Sequence, residues 1–194
     1  MSDITVCCSR CGAEHSASVP QSVNVATDPD LKEKVRSGEL FTWQCPHCGA
    51  ANLLQVPFLY HDPNERLMLV LTDAPLGAEG LPEGYTGRIV RTVGDLIEKI
   101  KIFDAGLDDL VVEMCKFVTC QELKKDVPLR FVRTDGADAE MTFAYPEKGE
   151  MQLVAVGFNV YEDCAAILQR NPHIRSSALG LVTIDQAWLS RYFQ

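Results

Sequence analysis

The chain has 194 residues and lacks any apolar run approaching the ~18 residues that a membrane-spanning helix needs. Its opening residues, Met-Ser-Asp-Ile-Thr, hold neither a basic region nor an apolar core, so no secretion signal is expected. Positive charge is scarce as well. Eighteen Lys and Arg stand against 27 Asp and Glu, a net charge of −9. A surface that grips a polyanion needs local cations to outweigh the whole. The one basic cluster, Lys32, Lys34 and Arg36, is interleaved with Asp30, Glu33 and Glu39, the pattern of a solvated helix face. Nucleic acid is therefore disfavoured as a partner, and the acidic balance also discourages membrane association. The chain has no internal repeat and no low-complexity segment. Residues 73–87 are rich in glycine and proline and read as a loop, but no GK[ST] follows to make it a phosphate loop. Histidine is sparse: His15, His47, His61 and His173 have no flanking motif that assigns a nucleophile or base, so no catalytic residue is named.

Cysteine is what the chain does have, eight in all. Four fall in two knuckles, Cys8-Ser-Arg-Cys11-Gly12 and Cys45-Pro-His-Cys48-Gly49. Thiolates are soft ligands, and Cys-x-x-Cys brings two sulfurs to one ion from a single tight turn. Glycine after the second cysteine suits a backbone with positive φ. Pro46 fixes φ in the second knuckle, and backbone N–H groups of such a turn can point at the first sulfur. Cys8, Cys11, Cys45 and Cys48 are thus the expected ligands of one metal ion per chain, with structural zinc the leading identity. An iron or iron–sulfur site uses the same four residues, and disulfide or redox pairs are the remaining readings. So many cysteines without an export signal suit a reducing compartment, and the cytoplasm is the expected location. Cys7 lacks the two-residue spacing, and Cys115, Cys120 and Cys164 read as buried apolar side chains.

Thirty-three residues separate Cys11 from Cys45, against roughly 15–20 in the common pattern, so the insert must carry structure of its own. Asp28-Pro29-Asp30-Leu31-Lys32-Glu33-Lys34-Val35-Arg36-Ser37-Gly38 reads as a short helix, with Asp28 at the N-cap, Pro29 at its first position and Gly38 as its stop. The combination of CxxCG, then DPDLKEKVRSGEL leading into WQCPHCG, then IEKIKIFDAGLDDLVVEMCK, resembles the CpXC proteins over roughly residues 5–120. The resemblance implies a bacterial or archaeal protein with a zinc-binding domain, and leaves the activity open. The first knuckle departs from the family pattern in lacking the proline, and keeps both cysteines.

Strands are expected at 4–8, 17–26, 40–44, 52–60 and 66–72, the last two as a hairpin in an antiparallel sheet beside the metal. Trp43 is expected to pack over the metal site or the sheet, its stacking on a base being the weaker alternative. A short strand at 88–91 leads into a helix capped by Thr92, with Asp95 and Lys99 as an outward pair. After Asp104–Gly106 a second helix carries Leu107, Leu110, Val111, Met114, Phe117 and Val118, and the two helices read as a hairpin. Asp109 and Glu113 lie one turn apart there, where the helix dipole favours acids, and the catalytic reading of them is the weak one. Further strands at 129–133, 140–145 and 151–158 and helices at 161–169 and after Asp185 complete an α+β fold. The expected division is residues 1–122, a zinc-ribbon-like antiparallel part with inserted helix and helical hairpin, and 123–194, a small α+β region that could share the same core.

A four-cysteine site is saturated, so the expected role is non-catalytic: a structural centre supporting a surface for a protein partner or a second copy of the chain. The alternatives are an enzyme or enzyme subunit with its active site away from the metal, and a nucleic-acid-binding ribbon using Arg10, Trp43 and His47.

Overall fold

The computed structural model describes residues 2–74, 80–136 and 139–193. Part of the 73–87 loop read from sequence therefore lies outside the described residues. The fold is α+β, as the pattern of strands and helices leads one to expect. The chain forms two compact units, Met1–Ile97 and Glu98–Gln194. The division falls within the helical pair, upstream of the 122/123 boundary read from sequence.

In the first unit, β1 (Ser2–Cys7) and β2 (Glu14–Val19) form an antiparallel ribbon closed by the first knuckle. Pro20, which has no N–H to give a ladder, separates β2 from β3 (Ser22–Asn24), so the single strand expected over 17–26 is two. Helix α1 (Pro29–Ser37) follows. Gly38, at φ 80°, ends it with its N–H on the Val35 carbonyl. Asp28 occupies the N-cap position without a side-chain cap bond; its carboxylate accepts from the Thr27 hydroxyl instead. A 3-10 turn (Glu39–Phe41) seats Phe41 edge-on against Phe58, with ring centroids 5.0 Å apart. Then β4 (Thr42–Gln44) and β5 (Ala51–Leu53) make a second antiparallel ribbon around the second knuckle.

The segment expected as one strand over 52–60 breaks before Pro57. Its first part is β5, and its second begins β6 (Phe58–Asp62). A hairpin joins β6 to β7 (Leu67–Leu71), with Tyr60 opposite Leu69. Both strands alternate buried and half-buried residues, the signature of a strand covered on one face. Asp62 anchors the turn: its Oδ1 accepts from the N–H groups of Asn64 and Glu65, and Lys32 reaches its Oδ2 at 3.2 Å. The sheet is mixed rather than antiparallel. β3 runs parallel to β6, and β8 (Thr86–Val90) parallel to β7. Parallel neighbours need a crossover, and the knuckle-bearing insert between β3 and β6 supplies one.

Helix α2 (Val93–Asp104) opens on a capping box. The Thr92 hydroxyl accepts from the Asp95 N–H at 3.1 Å, and the Asp95 carboxylate from the Thr92 N–H at 3.0 Å. Beyond Ile97 the chain belongs to the second unit. There α3 (Asp109–Leu123) is capped by Asp108, which accepts the Leu110 N–H at 2.9 Å. Strands β9 (Arg130–Asp135), β10 (Glu140–Glu147) and β11 (Glu150–Gly157) form an antiparallel sheet in the order β11-β10-β9. Lys148 and Gly149, at φ 52° and 84°, make the tight β10–β11 turn. Helices α4 (Phe158–Arg170), α5 (Pro172–Ser177) and α6 (Gln186–Leu189) follow, with the short strand β12 (Leu181–Val182) before α6. Leu110, Met114, Phe131, Met141, Phe143, Cys164, Leu168 and Trp188 lie in one core cluster.

Candidate metal centre

The two ribbons present their knuckles to each other. In each, a short backbone bond closes the turn: Gly12 N–H to the Cys8 carbonyl at 2.9 Å, and Gly49 N–H to the Cys45 carbonyl at 2.8 Å. A second bond ties each first cysteine to the returning chain, Cys8 N–H to Ala13 and Cys45 N–H to Ala50. Gly12 and Gly49 lie at φ 72° and 70°, the left-handed region that Cβ disfavours, so both glycines are required by the turn.

The sulfurs of Cys8, Cys11, Cys45 and Cys48 all fall within 4.8 Å of one another and could hold a metal ion. Between knuckles, Cys8 Sγ stands 3.6 Å from Cys48 Sγ, and Cys11 Sγ 3.7 Å from Cys45 Sγ. Cys8 and Cys45 are buried, Cys48 half-buried and Cys11 exposed, so the cluster lies at the surface with one side sealed. Cys7 is excluded from it, its Sγ against the Gly12 carbonyl at 3.4 Å.

The sulfurs differ electrostatically. The Cys11 N–H, with help from Arg10 N–H, points at Cys8 and brings that thiol down to about 6 against the burial that opposes it. At Cys11 the Ala13 N–H favours the thiolate, but burial and the sulfurs of Cys48, Cys8 and Cys45 outweigh it and push that thiol up to about 12. Four thiolates this close repel one another unless a cation lies among them, and the donor set is one that thiophilic ions fit.

Two neighbours that sequence reading missed hold this arrangement. Buried Asn52 on β5 accepts from the Ser9 N–H at 2.9 Å and the Ser9 hydroxyl at 2.8 Å. Its Nδ2 donates to the Ala50 carbonyl at 2.9 Å and lies 3.6 Å from Cys8 Sγ. One amide thus spans both knuckles. His15 on β2 brings Nε2 to 3.5 Å from Cys45 Sγ. The half-buried Trp43 meets His15 edge-on with centroids 5.7 Å apart, so its packing role extends to the centre through the imidazole. His47 is exposed, as its place in the knuckle suggests.

The other residues singled out by sequence lie elsewhere. Cys115 and Cys164 are buried in the second unit's core, and Cys120 is half-buried with its Sγ near the Val127 carbonyl. His61 contacts the Tyr85 hydroxyl at 3.3 Å, and His173 lies against the Tyr192 ring. Asp109 and Glu113 do share a face, but that face is buried and carries cations. Lys99 Nζ lies 2.8 Å from Asp109 and 3.5 Å from Glu113, while Lys116 Nζ lies 2.7 Å from Glu113 and 3.0 Å from Glu98. The outward Asp95–Lys99 pair is therefore corrected: Lys99 is only 4 % exposed and turns inward, and Asp95 serves the capping box. Gln186 completes the cluster by donating to Glu113 Oε2, and Glu98 also accepts the Phe131 N–H.

The model of the CpXC protein family matches residues 6–116, more than half of the chain. The chain belongs to the CpXC family. The match to this family contains both knuckles, the inserted helix α1, strands β3, β6, β7 and β8 of the mixed sheet, and the first half of α3. Neither a curated protein nor a solved structure matches the chain. Among the described residues, no helix is long and apolar enough to cross a membrane.

Proposed function

We propose that this CpXC protein binds one structural zinc ion through Cys8, Cys11, Cys45 and Cys48, and that the centre supports a surface for a protein partner or a second copy. The observation that carries this is the convergence of four sulfurs from two knuckles, with cross-knuckle separations of 3.6 and 3.7 Å. Zinc–sulfur bonds of about 2.3 Å in a tetrahedron place sulfurs about 3.8 Å apart, so both pairs fit with little movement. Four thiolates fill a tetrahedral sphere and leave no position for substrate or activated water, which favours a structural role over a catalytic one. Abundant free thiols suit a reducing compartment, and we place the chain in the cytoplasm.

The test is elemental analysis with native mass spectrometry on the full chain and two variants. The wild-type chain and Cys115→Ala carry one zinc, and Cys45→Ser loses it together with the fold of the N-terminal ribbons. Iron in the wild type, or an unchanged metal content and melting temperature in Cys45→Ser, sinks the assignment.

A further inference from the structure

Strand β11 is the outer strand of its sheet, and it lacks the devices that usually protect such an edge. It runs eight residues, Glu-Met-Gln-Leu-Val-Ala-Val-Gly, with no lysine, no proline and no charge after Glu150. The opposite edge strand, β9, is protected: Arg130 and Arg133 lie on it, and its ladder with β10 carries a register shift at Thr142/Phe143. On β11, Met151 and Leu153 are 61 % and 62 % exposed, and Ala155 is exposed beside them. Val156 on the other face is buried in the core.

Among the described residues, the ladder groups of β11 that face away from β10 belong to the same three residues. The Phe158 N–H bonds the Ala139 carbonyl at 2.8 Å, one step beyond the Glu140–Gly157 pair. Alternation along an antiparallel ladder then turns the N–H and C=O of Val156, Val154 and Gln152 toward β10. Those of Met151, Leu153 and Ala155 turn outward.

We propose that β11 is a self-association surface: two copies pair their β11 strands antiparallel about a two-fold axis at Leu153 and form one continuous sheet. This deepens the second-copy reading above and rests on it, but it assigns the surface to the second unit, whereas the four sulfurs belong to the first. The edge fits its own copy. With Leu153 opposite Leu153, Met151 faces Ala155, so the outward groups meet as bonded pairs and the apolar faces coincide. Local charge permits the same occupant. The molecule carries a net −9, and like copies repel wherever acids meet, yet residues 151–157 contain none of its charged side chains. In this register each Glu150 stands opposite Val156, and the two Glu150 residues are about 20 Å apart, beyond the screening length at physiological salt.

The test is sedimentation velocity of the full chain over a concentration series, with hydrogen exchange at the two extremes. The expected result is a reversible dimer of the 21.5 kDa chain whose formation slows exchange at Met151, Leu153 and Ala155. Leu153→Lys sets two ammoniums against each other at the axis and weakens the dimer by at least about a hundredfold. Exposed Leu153 tolerates the change, so the variant keeps the zinc content and melting curve of the wild type. A one-chain mass at every concentration overturns the proposal and leaves the edge to a strand of another protein. A dimer that survives Leu153→Lys, or whose protection lies outside 150–157, also overturns it. Zinc content measured on the same samples separates these failures from failure of the metal assignment.

Discussion

At the scale of single residues, Asn52 illustrates how a four-cysteine cluster depends on more than its cysteines. Knuckle geometry is local: two cysteines, a turn and a glycine with positive φ suffice for each half. The relation between the halves is not local, and one amide sets it by bonding Ser9 on one side and Ala50 on the other. Groups that orient ligands typically contribute about 10–100-fold in metal affinity. Asn52→Leu keeps the volume and removes every one of these bonds. We expect its affinity for the proposed zinc ion, measured by competition with a chromophoric chelator, to fall by that factor while the stoichiometry equals that of the wild type. Unchanged affinity would show that the knuckles hold their own relative position. The four cysteines that converge were legible in the sequence because the spacing within each pair is a nearest-neighbour property. Asn52 and His15 were not, because the partners that give them meaning lie 43 and 30 residues away.

At the scale of elements, α3 shows why helix faces mislead. Its apolar stripe was readable, but Asp109, Glu113 and Lys116 are buried as well, and acids near a helix start looked like partners of the dipole. A buried charge announces itself only when the opposing element is known, here Lys99 and Glu98 on α2. Three carboxylates and two ammoniums meet inside, with Arg130 at the rim 3.5 Å from Glu98. Burying such a cluster costs desolvation that offsets much of its attraction, but removing one member strands the others. Glu113→Gln should destabilise the chain by about 3–5 kcal/mol in urea unfolding, because Lys116 and Lys99 lose their shared carboxylate. A cost below about 1 kcal/mol would mean that water or another acid replaces it.

The same cluster gives the pH dependence. Burial raises the Glu113 carboxyl, but Lys116 and Lys99 outweigh it and hold the group below its ordinary value. A depressed folded-state value means that the stability is present above the unfolded value of about 4.3 and is lost as pH falls through the folded one. Lys116 is held above its ordinary value, because Glu113 and Glu98 outweigh the burial that would lower it. Its contribution is complete below about 10.4 and is lost as pH rises through the raised value. Stability measured against pH should therefore show an acid limb below about pH 4.3, and Glu113→Gln should flatten it. An acid limb as steep in the variant would assign it to other carboxylates.

At the scale of the whole molecule, the composition of α+β elements was readable and the topology was not. The β6–β7 hairpin follows from two alternating runs and a turn, all local. The parallel pairing of β3 with β6 depends on where a knuckle-bearing crossover returns, which no window of sequence records. Helix α5 left a sign that was passed over, Pro172 at its first turn. The two units also differ in what holds them. The second has a large apolar cluster from Ile102 to Leu189. The ribbons β1–β2 and β4–β5 are short, with alternately exposed residues, and the four sulfurs lie where they converge. If a metal supplies the missing cohesion, its binding energy is folding energy for the ribbons. Chelation should then raise hydrogen exchange first in residues 4–19 and 42–53, while Met141, Phe143 and Leu168 stay protected. Restoring the metal should reverse the change. Exchange that rises uniformly along the chain would make the metal a keystone of both units, and exchange that does not change would leave the ribbons stable on their backbone bonds alone.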